Sequence, residues 1–498
     1  MSSPAKYWLL PGIAAILFLV ALPELFRASN DFLKDPATAR HLRAGEIMLE
    51  RKEILQSDPF GVDQPPRPWV AFEWLFEVSV AALVRIGGLP FAYAVGFLLF
   101  ALLPILLWRL LMQQQISLPV ALLYTLGAGL VFRSHLLLRP VLLTYLLMIV
   151  VVAWWYRHRE APGKWSWFVL PLIFAFWANI HGGFAAALLF LGLSVVGRLM
   201  DYRVQRRPID QAMTTWLAIL VICANATLLT PHGWRLHQLI WEMVFHIKSF
   251  AYWNEFRSLQ FIPLTPLALA YLFILGGLAL GGLSSRSTRW SWELVLPLLL
   301  FLYFGIKVQR HVMLLLVVAA VPVCRNLDGC LRLLISPDLR QRLERWAEIE
   351  RNNLSYLWII PAAVALVIPC FLSSSGAKSL RVGDPNISVA AIDFIRTHRS
   401  QFQRPLVTTW NAGALVYHLA PDFRITFDDR TEFYGDARLK PYIALLFTKP
   451  GWQKTLREGN YDSIILDHDF ALVKALRQAP QWQLVYEDQS AVIFLPKP

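Results

Sequence analysis

Long apolar segments alternate with short charged loops along most of the chain. A transmembrane helix needs about 20 mostly apolar residues to cross a hydrocarbon core of about 30 Å. We therefore predict a mostly α-helical polytopic membrane protein with about 11 to 12 spans. The segments expected to span the membrane are 7–26, 89–111, 117–132, 141–156, 165–179, 184–199, 212–230, 259–282, 292–306, 311–324 and 355–373.

The segment 69–88, "WVAFEWLFEVSVAALVRIGG", can be placed in two ways. It is apolar enough to be a span, but a twelfth crossing would put the basic loops on opposite faces of the membrane. Glu73 and Glu77 are four residues apart, so a helix would place them on one face. We expect a helix that lies along the outer membrane surface or enters it halfway. A full span is the alternative.

Beyond residue 376, charged and apolar residues mix and the elements become shorter. Strand-like segments such as "PLVTTW", "RITFDD" and "YDSIILD" alternate with helix-like segments, and "QS" separates "WQLVYED" from "AVIFLP" as in a hairpin. This alternation predicts a small soluble α/β domain, mostly parallel, with an antiparallel edge. The chain thus divides into a transmembrane domain at 1–375, whose first outer loop is 27–88, and an α/β domain at 376–498.

Composition supports this division and gives an orientation. Hydrophobic residues make up 56% of the chain and the mean hydropathy is +0.47, which excludes a protein that is soluble throughout. The formal net charge of +13 comes largely from short loops such as 156–164, 201–208 and 324–353. The positive-inside rule makes these loops and the N-terminus cytoplasmic, and the first loop and the α/β domain external. Since orientation explains the charge, no nucleic-acid partner is expected.

The first outer loop concentrates ionisable side chains directly after the first apolar segment. Asp31 and Asp35 are four residues apart and His41 follows within two turns, so a helix would bring the carboxylates to one face. Such carboxylates could hold a divalent cation or take a proton from an acceptor hydroxyl. The alternative is a solvated loop whose acids pair with Arg40 and Arg43.

A second set of polar side chains lies near the outer ends of the expected spans. Ionisable groups at membrane depth are costly and commonly mark a substrate path. Several cations on one leaflet would suit an anionic lipid head group, because arginine binds phosphate oxygens in pairs. The alternative is snorkelling of each side chain to the interface. The set comprises Arg133, His135, Arg139, Asn179, His181, Lys307, Arg310 and His311.

Two polar clusters follow strand-like segments of the α/β domain, where such sheets place binding residues. They are "FDDRTEFYGD" at 427–436 and "DHD" at 467–469. Acids at strand ends also cap the next helix, and one D-x-D is a weak metal signal. We therefore do not expect a metal at 467–469.

Five motifs, in order, resemble those of bacterial polytopic membrane proteins of the GT-C (C-type) glycosyltransferase superfamily: "DPATARHLRAGEIML", "SDPFGVDQPPRPWVAFEWLFEV", "WANIHGG", "TPHGW" and "FDDRTEFYGD". The resemblance covers most of the chain. It implies a GT-C-like fold and a sugar donor linked to a polyprenyl phosphate. It also implies transfer on the periplasmic face of the bacterial inner membrane, with an acidic residue of the first outer loop that holds a metal or activates the acceptor.

Residue matching assigns positions within this pattern and shows where the chain departs from it. Asp35 and Pro36 fall on the start of the family's Asp-Pro-Asp, and His41 falls on its His. Ala37 stands where the second Asp belongs, and Arg40 where a Trp is usual. The loss of the second Asp weakens a metal-binding reading and leaves Asp35 as the leading catalytic acid. Magnesium or manganese stays open as a cofactor.

In the tail motif, Asp429 replaces a Gly of the family pattern. The positions that fit the pattern are Asp428, Arg430, Thr431, Glu432 and Tyr434. The resemblance and the residue chemistry together give the expected site. The expected catalytic residues are Asp35, His41 and Glu73, and the expected substrate-binding residues are Asp31, Asp58, Arg139, His181, Arg310, Asp428 and Arg430.

The expected function is transfer of a hexosyl or pentosyl group from a polyprenyl-phosphate-linked donor to a glycan, lipid or protein acceptor, in contact with membrane lipids. One alternative is a transporter or flippase of a lipid-linked glycan. Such proteins often carry mid-span ionisable residues, whereas most charge here lies at span ends. The other alternative is a non-catalytic scaffold in envelope polysaccharide assembly, which Ala37 supports.

Overall fold

A computed structural model of the chain describes residues 12–17, 35–133, 137–282, 290–352, 363–364 and 387–497. The expected spans 7–26 and 355–373 lie mostly outside the described residues, and Asp31 and His135 lie wholly outside them. Before residue 376 the helices are α1 (Pro36–Arg51), α2 (Trp74–Gln113), α3 (Leu118–Arg133), α4 (Val141–His158), α5 (Ser166–Ala178), α6 (Phe184–Val204), α7 (Gln211–Ala226), α8 (Trp234–Phe245), α9 (Pro266–Ala279), α10 (Trp292–Lys307), α11 (Val312–Leu334) and α12 (Pro337–Asn352).

The helical pattern agrees with the hydropathy pattern. Each expected span from 89–111 to 311–324 overlaps a helix, although the helix in 259–282 begins only at Pro266. Among the residues that the structure describes, four helical segments are long and apolar enough to cross a membrane, namely α2, α4, α6 and the segment Gln309–Leu334 that contains α11. Helices α3, α5, α7 and α9 are apolar but shorter. The prediction of a mainly helical polytopic membrane protein is confirmed.

Helix α2 joins the segment 69–88 to the next expected span across a sharp break. Gly88 has φ 70° and ψ 178°, a backbone conformation that favours glycine. The arm before the break, 74–86, is about 20 Å long at 1.5 Å per residue, which is shorter than the hydrocarbon core. Its placement along the membrane surface stays a prediction.

The remainder of the described chain forms a small α/β domain. Its helices are α13 (Val389–Thr397), α14 (Thr409–Leu419), α15 (Thr431–Leu446), α16 (Trp452–Glu458) and α17 (Ala471–Gln478). Its strands are β1 (Pro405–Val407), β2 (Ser463–Leu466), β3 (Trp482–Glu487) and β4 (Val492–Pro496), in the sheet order β1-β2-β4-β3. Strands β1 and β2 are parallel, whereas β4 is antiparallel to both β2 and β3.

Two details of the expected sheet are wrong. The sheet is mixed rather than mostly parallel, because β1 and β2 are the parallel pair among the described strands. The expected strand 424–429 lies outside the sheet. Its backbone pairs with the loop after α1 instead, since Ile425 N donates to Phe60 O at 2.9 Å and Val62 N donates to Ile425 O at 3.1 Å.

Close backbone contacts fix α1 between α2 and the α/β domain. A side chain at Gly413 of α14 would overlap the carbonyl of Pro36, and one at Gly45 of α1 would overlap the carbonyl of Glu77. Glycine at both positions therefore allows the helices to approach closely. The loop 427–430 thereby comes to lie beside the first turns of α1, next to the start of α2.

Candidate functional site

Helix α1 begins at the residues singled out by the first motif. Asp35 is the N-cap residue and Pro36 takes the first helical position, where its fixed φ and missing N–H carry no cost. The Asp35 side chain does not cap its own helix. Asp35 is 4% exposed and accepts a hydrogen bond from Thr38 Oγ1 at 3.1 Å. Its carboxylate is therefore free to face a partner from another helix.

That partner is Arg139, at the turn before α4. Arg139 Nε donates to Asp35 Oδ2 at 2.7 Å, and Nη2 donates to Oδ1, so the pair is bidentate. Burial alone would lower the pKa of Arg139, but the charge of Asp35 and its hydrogen bonds raise that pKa above the usual value. The guanidinium is a fixed positive charge, and its side chain is 23% exposed against 1% for Asp35.

Glu255 joins Arg139 to a second arginine. Its Oε1 lies 3.3 Å from Arg139 Nη1 and 3.4 Å from Arg310 Nη1. The Arg310 guanidinium also lies 4.6 Å from the centre of the Phe256 ring. Two guanidinium groups from different turns thus converge on one oxygen. Glu255 was missed in the sequence because a lone acid in an aromatic loop gives no signal.

A second group of contacts centres on His41. His41 Nδ1 lies 2.9 Å from Glu77 Oε1, and Arg40 Nη2 lies 3.3 Å from His41 Nε2. Because arginine can only donate, Nε2 accepts and Nδ1 carries the ring proton. Burial, followed by the charge of Arg40, lowers the pKa of His41 against the opposing effect of Glu77. The imidazole is therefore neutral and held in one orientation.

Glu73 lies between two imidazoles. Its Oε2 is 3.8 Å from His41 Nε2, and its Oε1 is 3.9 Å from His181 Nε2. Burial raises the pKa of Glu73 well above its usual value, against the opposing charge of Arg40. With 16% of the side chain exposed, this carboxyl can reach a ligand and exchange a proton with it.

His181 is held by the turn between α5 and α6. Its Nδ1 accepts from Gly183 N at 3.0 Å and lies 2.8 Å from Thr144 Oγ1, so the ring proton is on Nε2, facing Glu73. Burial, followed by the charge of Arg310, lowers the pKa of His181 to about 3. The same turn positions the start of α2, because Asn179 Oδ1 accepts from Trp74 Nε1 at 2.9 Å.

The α/β domain contributes Asp429 to this group. Arg40 Nε donates to Asp429 Oδ1 at 2.8 Å and Nη2 donates to Oδ2 at 3.1 Å, while Nη1 donates to Glu77 Oε1 at 3.2 Å. Burial opposes ionisation of Asp429, but Arg40 holds its pKa below the usual range. Burial raises the pKa of nearby Glu432 to about 7, against the charge of Arg40.

Asp58, Asp428 and Arg430 form a separate buried ion cluster. Arg430 Nη2 donates to Asp58 Oδ1 at 2.8 Å, and Arg430 Nε donates to Asp428 Oδ2 at 2.9 Å. The guanidinium also lies 4.6 Å from the centre of the Trp69 ring. These charges face one another and are closed off from solvent, with residue exposures of 6%, 1% and 1%. The geometry favours a structural role over the expected contact with substrate.

The remaining candidates are the possible cation sites and a cavity on the α/β domain. Within residues 35–133, 137–282, 290–352 and 387–497, no group of three or more His, Cys, Asp or Glu side chains is placed to hold a metal ion. At 467–469, His468 Nε2 contacts the carbonyl oxygen of Asp488 instead.

A cavity of about 930 Å³ opens beside His468, at the carboxyl ends of β1 and β2. Trp410, which is 52% exposed, lines it together with Asp467, Asp469 and Gln489.

No family model and no curated protein matches the sequence. In structure, the chain matches ArnT from Cupriavidus metallidurans in the apo state with a TM-score of 0.51 and 14% identity, over 99% of this chain and 98% of ArnT. ArnT from the same organism bound to undecaprenyl phosphate matches with a TM-score of 0.47 and 13% identity, over 96% and 97%. The first match shows that the chain shares the fold of ArnT.

Proposed function

We propose that the chain is a membrane glycosyltransferase that moves a sugar from a polyprenyl-phosphate carrier to an acceptor hydroxyl on the periplasmic face of a bacterial inner membrane. The observation that carries this proposal is the placement of Glu73 between His41 and His181. A partly exposed carboxyl whose pKa is raised by burial is suited to proton transfer. The fold shared with ArnT supports a transferase rather than a channel or a carrier.

Arg139 and Arg310 are the groups suited to the donor phosphate. Both guanidinium groups point at Glu255 Oε1, which shows that their donors can share one anionic oxygen. A phosphate oxygen near this point would receive charge-assisted hydrogen bonds, and those bonds strengthen as the leaving phosphate gains charge. His181 adds a neutral N–H donor on the side of Glu73.

Glu73 is the proposed base. The bond between the sugar anomeric carbon and the phosphate oxygen breaks, the acceptor oxygen bonds to that carbon, and the acceptor proton passes to the Glu73 carboxylate. The polyprenyl phosphate leaves with the electron pair. Asp35 is less suited to this role, because Arg139 engages both of its oxygens. Asp35 instead orients Arg139. Arg40 contacts His41, and His41 faces the Glu73 carboxyl.

The cavity beside Trp410 is the proposed acceptor surface. An exposed indole can stack against the apolar face of a sugar ring, and the nearby carboxylate and amide groups can bind its hydroxyls. Helix α14 carries Trp410 near its start and contacts Pro36 through Gly413 one turn later. An acceptor glycan in this cavity would therefore lie close to the start of α1.

The experiment uses purified full-length chain in liposomes, with polyprenyl phosphates that carry a radiolabelled hexose or pentose. Release of free polyprenyl phosphate together with labelled acceptor supports the transferase, provided Glu73→Gln abolishes both. Movement of intact glycolipid across the bilayer without release contradicts it and favours a flippase. Folded protein that neither releases nor moves the lipid favours the scaffold.

A further inference from the structure

The position that a divalent cation would take beside Asp35 is already filled by a side chain. Magnesium and manganese prefer carboxylate, carbonyl and water oxygens, usually in octahedral geometry. Both Asp35 oxygens bind the Arg139 guanidinium, and Thr38 Oγ1 donates to one of them. A cation that binds this carboxylate would have to break its hydrogen bonds with the Arg139 guanidinium. The guanidinium would remain close by, and its positive charge would repel the cation. These residues do not fit a divalent cation.

The charge balance of the first turn of α1 explains this arrangement. Two aspartates and one divalent cation sum to zero charge, and so do one aspartate and one arginine. Ala37, which is 4% exposed, supplies no second carboxylate two residues after Asp35. With one carboxylate remaining, a single guanidinium is sufficient for neutrality. Ala37 and the bidentate pair therefore form one consistent alternative to a metal centre.

We infer that Arg139 replaces the divalent cation in this chain, so that Asp35 is neutralised by a guanidinium and sugar transfer is independent of divalent metal. The pair is fixed at both ends, because Glu255 holds the guanidinium on the side opposite Asp35. The Arg139 side chain is 23% exposed and the Asp35 side chain 1%, so the guanidinium rather than the carboxylate is accessible to a ligand. The part concerning transfer rests on the proposed function, whereas the part concerning metal does not.

The test measures metal binding directly and does not require activity. Full-length wild type and Asp35→Asn are stripped with EDTA in detergent and titrated with Mn²⁺, and bound ion is counted by electron paramagnetic resonance. We expect both chains to bind the same number of Mn²⁺ ions. One additional ion bound by wild type would overturn the inference, because that ion would depend on Asp35. Thermal unfolding of both chains, with EDTA and with Mn²⁺, is a second measurement: we expect Mn²⁺ to shift both chains equally, and a larger stabilisation of wild type contradicts the inference.

A gain-of-function variant tests the charge exchange. Ala37→Asp combined with Arg139→Gln restores two carboxylates and removes the guanidinium. We expect this variant to bind one Mn²⁺ ion more than wild type, and a folded variant without that ion contradicts the exchange.

In the transfer assay, wild-type turnover should be the same in EDTA and in Mn²⁺, and loss of turnover in EDTA would overturn metal independence. If wild type transfers no sugar under either condition, the proposed function fails while the binding results still decide the metal question.

Discussion

Arg40 and Asp429 form a partly buried two-bond ion pair, and they occupy two positions at which the chain departs from the GT-C pattern that its sequence resembles. Where a Trp is usual, the chain has Arg40, and where a Gly is usual, it has Asp429. The pair links α1 to the α/β domain, and we therefore expect the two departures to be energetically coupled.

This pairing predicts non-additive effects of substitution. Asp429→Gly leaves the buried Arg40 charge with one carboxylate partner fewer, and we expect a loss of about 3 kcal/mol or more of unfolding free energy. Arg40→Trp alone should also destabilise, because it leaves Asp429 unpaired. The double variant Arg40→Trp/Asp429→Gly should recover most of the loss. Thermal unfolding in detergent measures all three chains, and a double variant as unstable as the sum of the singles contradicts the coupling.

The buried cluster around Arg430 predicts a large effect on stability and a small one on turnover. Arg430→Met leaves Asp58 and Asp428 buried without their counter-ion, which should cost about 3–5 kcal/mol. The matched control is Arg438→Met. Arg438 pairs with Asp63 at 2.7 Å across the same two segments but is 43% exposed, so its loss should cost about 0–1 kcal/mol. Equal destabilisation by both variants would refute the structural assignment.

The turn that holds His181 predicts opposite outcomes for two adjacent glycines. A Cβ at Gly183 would overlap the Thr144 side chain and lie 2.9 Å from His181 Nδ1, whereas one at Gly182 would lie 3.6 Å from Ile240 in ordinary contact. Gly183→Ala should displace the imidazole and lower kcat by up to about 10²-fold. Gly182→Ala should keep wild-type kcat. Similar rates in the two variants would mean that the position of His181 does not matter for turnover.

The raised pKa values of Glu73 and Glu432 predict the pH profile of transfer. A base must be deprotonated to act, so kcat should rise with pH through the raised pKa of Glu73 rather than near the usual value of 4.5. Burial lowers the pKa of His41 and of His181, which favours the neutral imidazole in both. The charged and titratable groups around Glu73 are Arg40, His41, Glu77, His181, Asp429 and Glu432.

Glu432→Gln tests which group sets that profile. The charge of Glu432 raises the pKa of Glu73, so its removal should shift the acid limb of the kcat profile to lower pH while turnover at high pH is kept. A pH titration of initial rates measures this shift. An acid limb that remains in place in Glu432→Gln, or one that lies near pH 4.5 in wild type, would argue against Glu73 as the base.

Trp410 predicts an effect on acceptor binding rather than on chemistry. Trp410→Ala removes the exposed indole from the cavity and should raise the KM for a glycan acceptor by about tenfold, with kcat unchanged. Trp165→Ala is the control, since Trp165 is also exposed, at 63%, but lies between α4 and α5. Unchanged acceptor KM in Trp410→Ala would place acceptor binding elsewhere.

The sequence predicted the helices well. Hydropathy depends on local composition, and a helix makes its backbone hydrogen bonds within its own segment. The sequence singled out Asp35 and His41, but left open whether their segment is a helix or a solvated loop, and the structure shows the helix α1. The sequence could not reveal the pairing of Asp35 with Arg139, which lie 104 residues apart, because contact between charged residues depends on helix packing. The prediction of a strand at 424–429 was wrong for a related reason. Its alternating pattern suits a strand, but its hydrogen bonds are made to the loop after α1.

The most direct test of the account is the single-turnover rate of sugar transfer by Glu73→Gln, compared with wild type and with Glu50→Gln. Glu50 lies on α1 with its side chain 55% exposed, so its variant controls for the loss of one surface charge. We predict wild-type rates for Glu50→Gln and a loss of about 10²–10⁴-fold for Glu73→Gln, the usual contribution of a general base. A folded Glu73→Gln protein that transfers sugar at the wild-type rate would contradict the account.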